Sequence, residues 1–264
     1  MSLNDSKRQS LEEDLRKIGK AVFVNFYYDF KDTAISTEEL SEKLLRENPK
    51  SRSARQRFRI PRARWIFERG QEVDALNIII NSKRVDNEAR EKAKEILFHE
   101  SQQKAKDIEI KDEMLFNAEL NNEICYSEKV PFEYDNKPHS PKELKNIGSS
   151  KRYPRSRSVA TNALMQANYM CEVDNSHKVF KRKNSDINYT EPHHIVPLFA
   201  ANDFPNIDLD REQNVISLCS YCHNLLHYGS DIIPILRFIY DKRKGLLKSV
   251  GIDITFEQLL QYYK

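Results

Sequence analysis

The sequence has few glycines, prolines and cysteines, and it has no long run of apolar residues. Its 264 residues include 6 Gly, 10 Pro and 4 Cys, which excludes collagen-like repeats and a dense disulfide scaffold. The hydrophobic 39%, with 13 Phe and 12 Tyr, is enough to build cores and excludes a wholly disordered chain. No apolar run approaches the ~20 residues of a membrane span, and the first residues lack the apolar segment of a signal peptide. We expect a soluble cytoplasmic protein of one large or two modest domains, with no membrane partner.

The charges are nearly balanced overall but are clustered locally. The formal net charge is +3, which is too small to argue for nucleic-acid binding by itself. Residues 52–69 hold seven arginines and one glutamate, and residues 151–157 hold four basic residues and no acid. Each cluster could contact phosphate groups, and a solvated basic face is the alternative.

The N-terminal part of the sequence, residues 1–122, predicts helices almost throughout. Residues 36–39 have the pattern of a capping box, which marks the start of a helix. Pro61 is favourable as the first residue of a helix, so we expect one helix to end before it and the next to begin there. Further helices are predicted over 71–81 and 87–121.

A short helix, a turn and an arginine-rich helix over residues 37–60 resemble a helix-turn-helix unit. The second helix of such a unit enters the major groove of DNA, and Arg55, Arg57 and Arg59 would then contact it. Many helical domains contain such a pair of helices, so plain helical packing is the alternative. Residues 123–155 lose helical periodicity and predict a linker or a long loop.

Cysteine and histidine are concentrated in one part of the chain. Three of the four cysteines and five of the 7 histidines lie between residues 171 and 227. The spacing of Cys219 and Cys222 is half of a tetrahedral zinc site, and Cys171 is the natural third ligand. The fourth ligand would be Asp174 or His177, and we favour His177 because imidazole is the more frequent zinc ligand.

A second group of histidines has a different spacing. His193 and His194 are adjacent, and in an extended segment their side chains point to opposite faces, so that one can bind a cation while the other acts as a base. His223 and His227 are four residues apart and share one face of a helix. Each of these histidines alone would more often be structural, but together they favour a second metal site.

This part of the chain resembles the HNH nucleases, whose active unit is a β-hairpin followed by a helix, the ββα-metal fold. The resemblance covers about residues 155–230 and rests on EPHHIVPL, a later asparagine and LCSYCHNLLH, in that order. It implies an α+β protein. A mainly α-helical N-terminal region would be followed, after the 123–155 linker, by a zinc-stabilised ββα-metal nuclease domain with C-terminal helices, residues 156–264.

The resemblance also implies roles for individual residues. His194 would be the general base, and Asn214 would pin the hairpin loop by hydrogen bonds. His193 and His223 would hold the catalytic cation (Mg²⁺, Mn²⁺, Ni²⁺ or Co²⁺), and His227 would bind that cation or contact phosphate. The family more often has Asp where this chain has His193, and an imidazole there favours the softer divalent ions.

The implied substrate is double-stranded DNA. Lys181 and Arg182 lie on the predicted hairpin and could follow the DNA backbone, with a charged turn as the alternative. We expect a restriction or phage-defence endonuclease, with modified bases as a candidate trigger. A nicking or mobile-element endonuclease is the runner-up, and a non-catalytic zinc-knuckle DNA-binding protein is the alternative outside the enzymes.

Cleavage of both DNA strands predicts a homodimer, because each chain has one paired-histidine motif and the two scissile phosphates run in opposite directions. The candidate dimer surfaces are the aromatic stretch at residues 23–30 and the apolar segments at 232–240 and 256–263. The alternative is that these segments pack within their own domains.

Overall fold

A computed structural model describes residues 5–47, 53–124, 133–147, 150–183 and 185–264. The chain divides into two compact units, Met1–Lys104 and Ala105–Lys264. The predicted boundary near residue 122 therefore differs from the observed division, which falls inside one long helix. The described residues are mainly helical with two small two-stranded sheets, and they include no helix long and apolar enough to cross a membrane.

The first unit is helical. Its elements are α1 Asp5–Ile18, α2 Lys20–Asn25, α3 Tyr27–Lys31, α4 Thr37–Glu47, α5 Ser53–Glu68, α6 Glu72–Ile80 and the first part of α7 Asn87–Ile124. The helices predicted over 71–81 and 87–121 are thus confirmed as α6 and α7. Gly19 separates α1 from α2 with a φ of 92°, a left-handed conformation that glycine adopts without steric cost.

The prediction of a helix boundary at Pro61 was wrong, because Pro61 lies inside α5. Ile60 precedes the proline, Ala63 and Ile66 follow it, and all three are buried in the same core. One apolar stripe thus runs past the proline, so that tertiary packing keeps a single helix where local preference favours a break.

The predicted helix pair over 37–60 is present as α4 and α5, which pack against each other. The side chains of Arg55 and Arg57 lie outside the described residues, and Arg59 is half-buried. The pair alone does not distinguish a DNA-reading unit from ordinary helix packing, so the DNA contacts of these arginines stay a prediction.

The second unit contains the rest of α7 and the remaining elements. These are β1 Lys145–Ile147, β2 Ser150–Arg152, α8 Arg157–Gln166, β3 Glu191–His194, β4 Val215–Leu218, α9 Ser220–Tyr228, α10 Ile233–Ser249 and α11 Phe256–Tyr263, with short 3₁₀ helices at Leu198–Asp203 and Glu212–Asn214. The strands β3 and β4 are antiparallel, with His193 opposite Ile216. Because α9 begins two residues after β4, the hairpin and the helix form one continuous unit.

The segment predicted as a linker is partly ordered against the second unit. Its residues 133–144 form no strand or helix, but the Arg211 guanidinium donates hydrogen bonds to the carbonyl oxygens of Asp135 and Lys137 at 2.6 and 2.9 Å. The Asp208 N–H donates to the His139 carbonyl. These contacts tie the segment to the loop that precedes β4, and β1 and β2 lie within the predicted linker range.

The apolar segments considered as dimer surfaces are largely used inside the chain. The aromatic side chains of Phe23, Tyr27 and Phe30 are at most 1% exposed in the core of the first unit. Leu236 and Leu259 are fully buried in the core of the second unit. These buried side chains offer no surface to a second chain, but Tyr28, Ile233 and Phe238 of the same segments are 47–54% exposed. The homodimer therefore stays a prediction.

Candidate metal centres

The four predicted zinc ligands lie together in the second unit. One ligand atom from each of Cys171, His177, Cys219 and Cys222 lies within 4.8 Å of the others. His177 Nδ1 is 3.6 Å from Cys219 Sγ and 3.4 Å from Cys222 Sγ, and a tetrahedral zinc ion would separate such a pair by about 3.6 Å. This Cys₃His group could therefore hold a metal ion such as zinc.

The structure places His177, and not Asp174, beside the three cysteines. Asp174 is exposed, and its carboxylate accepts a hydrogen bond from the Ser176 N–H at 2.8 Å. Asp174 thus shapes the turn that returns His177 to the cysteines. A hydrogen bond from the Cys222 thiol lowers the pKa of Cys171 to about 4, despite the opposing effect of burial. The same contact and burial raise the pKa of Cys222, so Cys171 is the cysteine of this group that most readily forms a thiolate.

Backbone pairing places Cys171 beside the hairpin. The Glu172 N–H donates to the Ser217 carbonyl on β4, and the Ser217 N–H donates to the Glu172 carboxylate at 2.9 Å. The Arg243 guanidinium on α10 holds the same carboxylate at 2.6 and 2.8 Å. Cys219 is the N-cap of α9 and Cys222 lies in its first turn, so the Cys₃His group fixes the start of α9.

A second group that could hold a metal ion contains His193, His223, His227 and Glu113. His193 lies on β3, both other histidines lie on α9, and Glu113 comes from α7. The Glu113 carboxylate is 3.3 Å from His193 Nδ1, 2.9 Å from His223 Nε2 and 3.7 Å from His227 Nε2. The structure thus brings together the three histidines predicted for the cation and adds a carboxylate that the sequence analysis did not identify.

In His193 and in His223, one ring nitrogen has a partner outside the group, so the other ring nitrogen points toward the group. The Tyr263 hydroxyl donates its proton to the Ile195 carbonyl. The hydroxyl oxygen can therefore accept a hydrogen bond from His193 Nε2, which lies 3.0 Å away. His223 Nδ1 lies 2.7 Å from the Glu191 carboxylate. Metal-bound histidines usually have such a partner at the other ring nitrogen, which fixes the tautomer and the ring orientation.

Within the described residues, His193 Nδ1 and His227 Nε2 are buried without a hydrogen-bond partner. Buried polar atoms of this kind are rare and costly unless an ion or a water satisfies them. Both atoms face Glu113, so the donor set fits a divalent cation. Three imidazoles and one carboxylate suit ions such as Mn²⁺, Co²⁺ or Ni²⁺ better than Mg²⁺, which prefers oxygen ligands.

The electrostatics of the second group follow from burial and from the contacts between its members. Burial is the main cause that lowers the pKa of His193 to about 4. Burial also opposes the charged form of His223, but its hydrogen bonds to Glu113 and Glu191 outweigh this and raise its pKa to about 9. Burial likewise opposes the charged form of Glu113, and Arg155 and His193 more than compensate, so its pKa lies well below the usual range.

His194 lies outside this group although it is adjacent to His193. Its Nε2 is 3.0 Å from the Asp210 carboxylate, and its Nδ1 is 3.2 Å from an Arg155 nitrogen. Asp210 also accepts hydrogen bonds from Lys142 at 2.5 Å and from the Ser156 N–H at 2.6 Å. Because arginine can only donate, Nδ1 is the acceptor and Nε2 carries the proton that is directed at Asp210. Strand alternation thus separates the two histidines as expected.

Asn214 is fully buried at the base of the hairpin loop. Its side-chain oxygen accepts from the Val196 N–H at 2.8 Å, and its side-chain nitrogen donates to the carbonyls of Val196 and Leu209 at 2.9 and 2.8 Å. These bonds close the loop between β3 and β4. They agree with the pinning contact that the resemblance implies for this residue.

The two basic residues of the predicted hairpin differ in their surroundings. Arg182 is 4% exposed, and its guanidinium donates to Asn121 at 2.5 Å and to the Thr190 carbonyl at 2.8 Å. The prediction that Arg182 contacts DNA was therefore wrong, because its guanidinium is buried and hydrogen-bonded within the second unit. Lys181 is exposed and donates to the Asp186 carbonyl, so its DNA contact stays a prediction.

No family model, curated protein or solved structure matches the chain. The geometry of the two groups that could hold metal ions and the hydrogen bonds of His194 are therefore the evidence on function. Glu191 lies on β3 two residues before His193, and its carboxylate orients His223. Glu113, Asp210 and Tyr263 are site residues that the sequence analysis did not identify.

Proposed function

We propose that this chain is a metal-dependent HNH endonuclease that hydrolyses phosphodiester bonds in double-stranded DNA. The observation that carries the proposal is the separation of two adjacent histidines on β3. His193 faces His223 and His227, whereas His194 contacts Asp210 outside that group. A cation site beside a separate base is what hydrolysis of a phosphodiester by an activated water needs. The hairpin-plus-helix arrangement of β3, β4 and α9 supports the same resemblance.

His194 is the general base in this proposal. Asp210 holds the Nε2 proton, so Nδ1 has the lone pair that takes the proton from water. The attacking water would take the place that Arg155 occupies at Nδ1. The guanidinium of Arg155 is suited to binding a phosphate oxygen nearby. A divalent cation held by His193, His223 and His227 would stabilise the negative charge that develops on the phosphate and on the leaving oxygen.

The Cys₃His group has a structural role in this proposal. A site with four protein ligands has no open position for substrate, which is typical of structural zinc. Zinc there would fix the start of α9 and hence the positions of His223 and His227 relative to His193.

Supercoiled plasmid separates the candidate functions. Purified protein with Mn²⁺ should convert the plasmid to cut forms, whereas a non-catalytic zinc-binding protein would shift the plasmid in a gel without cutting it. Nicked circles that accumulate without linear product would favour the nickase over a restriction enzyme. Light scattering on the free protein and on its DNA complex tests the predicted homodimer.

The biological role proposed is restriction or phage defence. It follows from the resemblance to the HNH nucleases, and modified bases are the candidate trigger. Digestion of modified and unmodified phage DNA with the same protein, followed by mapping of the cut ends, tests both points. Equal cleavage of the two DNAs would contradict a modification requirement.

We expect Asp210→Asn to lower the cleavage rate by about 10–100-fold with little change in DNA binding. The amide would no longer hold the Nε2 proton of His194 as a carboxylate does, and loss of such orienting partners typically costs this much. Initial cleavage rates and gel-shift affinities measure the two effects. Asp231→Asn, at an exposed position, is the matched control. An unchanged rate would show that Asp210 does not orient the base.

We expect the double variant Arg55→Ala/Arg57→Ala to bind DNA more weakly and with a smaller salt dependence. If each side chain contacts one phosphate, the slope of log affinity against log salt should fall by about 1.8. Arg59 is left intact because it is half-buried. The control Lys83→Ala/Lys104→Ala removes the same charge from exposed positions. Equal slopes for the two variants would assign the arginine cluster to a solvated face.

A further inference from the structure

The group that contains His193 is closed to a substrate in this structure. His193, His194 and His223 are 3–6% exposed, and the crevice beside them has a volume of about 30 Å³. A water needs roughly 10–15 Å³ of such volume, so this crevice holds about two waters and no phosphodiester. The wall that closes it comes from residues 106–113 of α7, through Lys106, Glu109, Ile110 and Glu113.

Polar contacts join the part of α7 that closes the crevice, residues 105–117, to the rest of the second unit. We call this part of α7 the closing segment. The Glu109 carboxylate accepts hydrogen bonds from the backbone N–H groups of Leu198 and Phe199 at 2.8 and 2.6 Å. The Arg155 guanidinium lies 3.4 Å from both Glu109 and Glu113. A substrate phosphate and a bound cation would compete for these same charged groups.

The end of α7 beyond the closing segment is held differently. Leu120 and Ile124 are buried against Leu164 and Tyr169 in a separate apolar cluster. Apolar burial does not depend on the charge state of the site. This end of α7 can therefore keep its apolar contacts while the closing segment moves away from the crevice.

Glu113 has the surroundings of a metal ligand. Its carboxylate lies 2.9–3.7 Å from three imidazole nitrogens, and ligand atoms about 2.0–2.1 Å from a tetrahedral ion are about 3.3–3.4 Å apart. A fourth protein ligand fills the position that catalytic sites keep open for water or substrate. The carboxylate is also an anion held by three imidazoles and an arginine, which are the partners that a phosphate would take.

We propose that Glu113 is the fourth, anionic ligand of the cation, and that the closing segment must withdraw before a DNA phosphate can reach that cation. The inference rests on the proposed function and adds to it a resting state in which the chain shields its own site. Cation binding and docking of the closing segment are then coupled. By reciprocity, the factor by which docking of the segment, with its Glu113 carboxylate, tightens cation binding equals the factor by which the cation stabilises the docked segment.

The test without DNA uses protein that keeps one zinc per chain after mild chelation, so that the group containing His193 is free of zinc. Mn²⁺ is the probe because it does not displace zinc from thiolates. Glu113→Gln should weaken Mn²⁺ binding, followed by the EPR signal of free Mn²⁺, by at least about tenfold. In the wild-type protein, Mn²⁺ should slow hydrogen exchange of amides 105–117 by a similar factor and leave α5 unchanged. Glu119→Gln, an exposed glutamate on the same helix, should behave as wild type.

Equal Mn²⁺ affinity in the wild-type and Glu113→Gln proteins, or exchange of 105–117 that does not respond to Mn²⁺ in the wild-type protein, would overturn the proposal. Hydrogen exchange of the wild-type protein decides whether the cation stabilises the docked segment, even if the Glu113→Gln protein does not fold.

The test with DNA uses the His194→Ala protein with Mn²⁺ and a DNA duplex, so that no cleavage occurs. Binding of the duplex should speed exchange of amides 105–117 while the amides of α8 keep their protection. A bound duplex with unchanged exchange would contradict withdrawal of the segment. If no duplex binds, that result counts against the nuclease, and the Mn²⁺ measurements alone then decide the role of Glu113.

Discussion

His194→Ala is expected to lower DNA cleavage by about 10²–10⁴-fold while DNA binding and cation binding stay near wild type. General-base catalysis contributes an effect of this size, and His194 contacts Asp210 and Arg155 rather than the His193 group. Single-turnover cleavage of a labelled duplex measures the rate. Mn²⁺ titration and the melting temperature show that the variant keeps its cation and its fold.

His99→Ala is the matched control for this variant, because His99 is exposed and lies in the first unit. It should cleave at the wild-type rate. If His194→Ala kept more than a few per cent of the wild-type rate, the base would be another group and the proposed role of Asp210 would be lost with it.

Cys219→Ser is expected to remove the zinc and to destabilise the second unit strongly. Zinc sites contribute folding free energy directly, and a loss of roughly 5 kcal/mol would lower the melting temperature of a unit this size by about 10–20 °C. Serine is a favourable N-cap residue, so the substitution does not weaken the start of α9 for any other reason. Elemental analysis should find about one zinc per chain in the wild-type protein and none in the variant.

Cys125→Ser is the control for Cys219→Ser, because Cys125 is the one cysteine outside the predicted ligand set. It should keep both its zinc and its melting temperature. A Cys219→Ser protein that is zinc-free and yet melts at the wild-type temperature would contradict a structural role for the Cys₃His group.

The sequence predicted which cysteines and histidines lie together because the spacing of candidate metal ligands is restrictive. The spacing of Cys219 and Cys222 and the helical spacing of His223 and His227 are local features. Cys219 and Cys222 lie at the start of α9, and His223 and His227 lie along it. Each pair therefore keeps the arrangement that its spacing predicts. The opposite directions of His193 and His194 follow from strand geometry alone.

Glu113 could not be predicted because it is a charged residue that is buried beside two exposed apolar ones. It is 2% exposed, whereas its neighbours Met114 and Leu115 are 58% and 67% exposed. Hydrophobicity alone would favour the burial of Met114 or Leu115. The buried acid is tolerated because Arg155 and three imidazoles from distant parts of the sequence compensate its charge, and no local pattern reveals such partners.

Pro61 and Arg182 show the same limit in local rules. Proline disfavours a helix interior, yet the apolar stripe on both sides of Pro61 keeps α5 continuous. A basic residue on a hairpin is usually exposed, yet Arg182 stacks over the Tyr189 ring at 4.9 Å and is buried. In both cases tertiary contacts decide an outcome that the sequence alone would assign differently.

The central claim is that cleavage depends on an exchangeable cation, which is separate from a structural zinc. Removing and restoring that cation tests the claim most directly. Protein treated with a mild chelator should keep about one zinc per chain and lose cleavage of supercoiled plasmid, and added Mn²⁺ should restore cleavage. Cleavage that persists after chelation, or that Mn²⁺ fails to restore while zinc is retained, would contradict the claim.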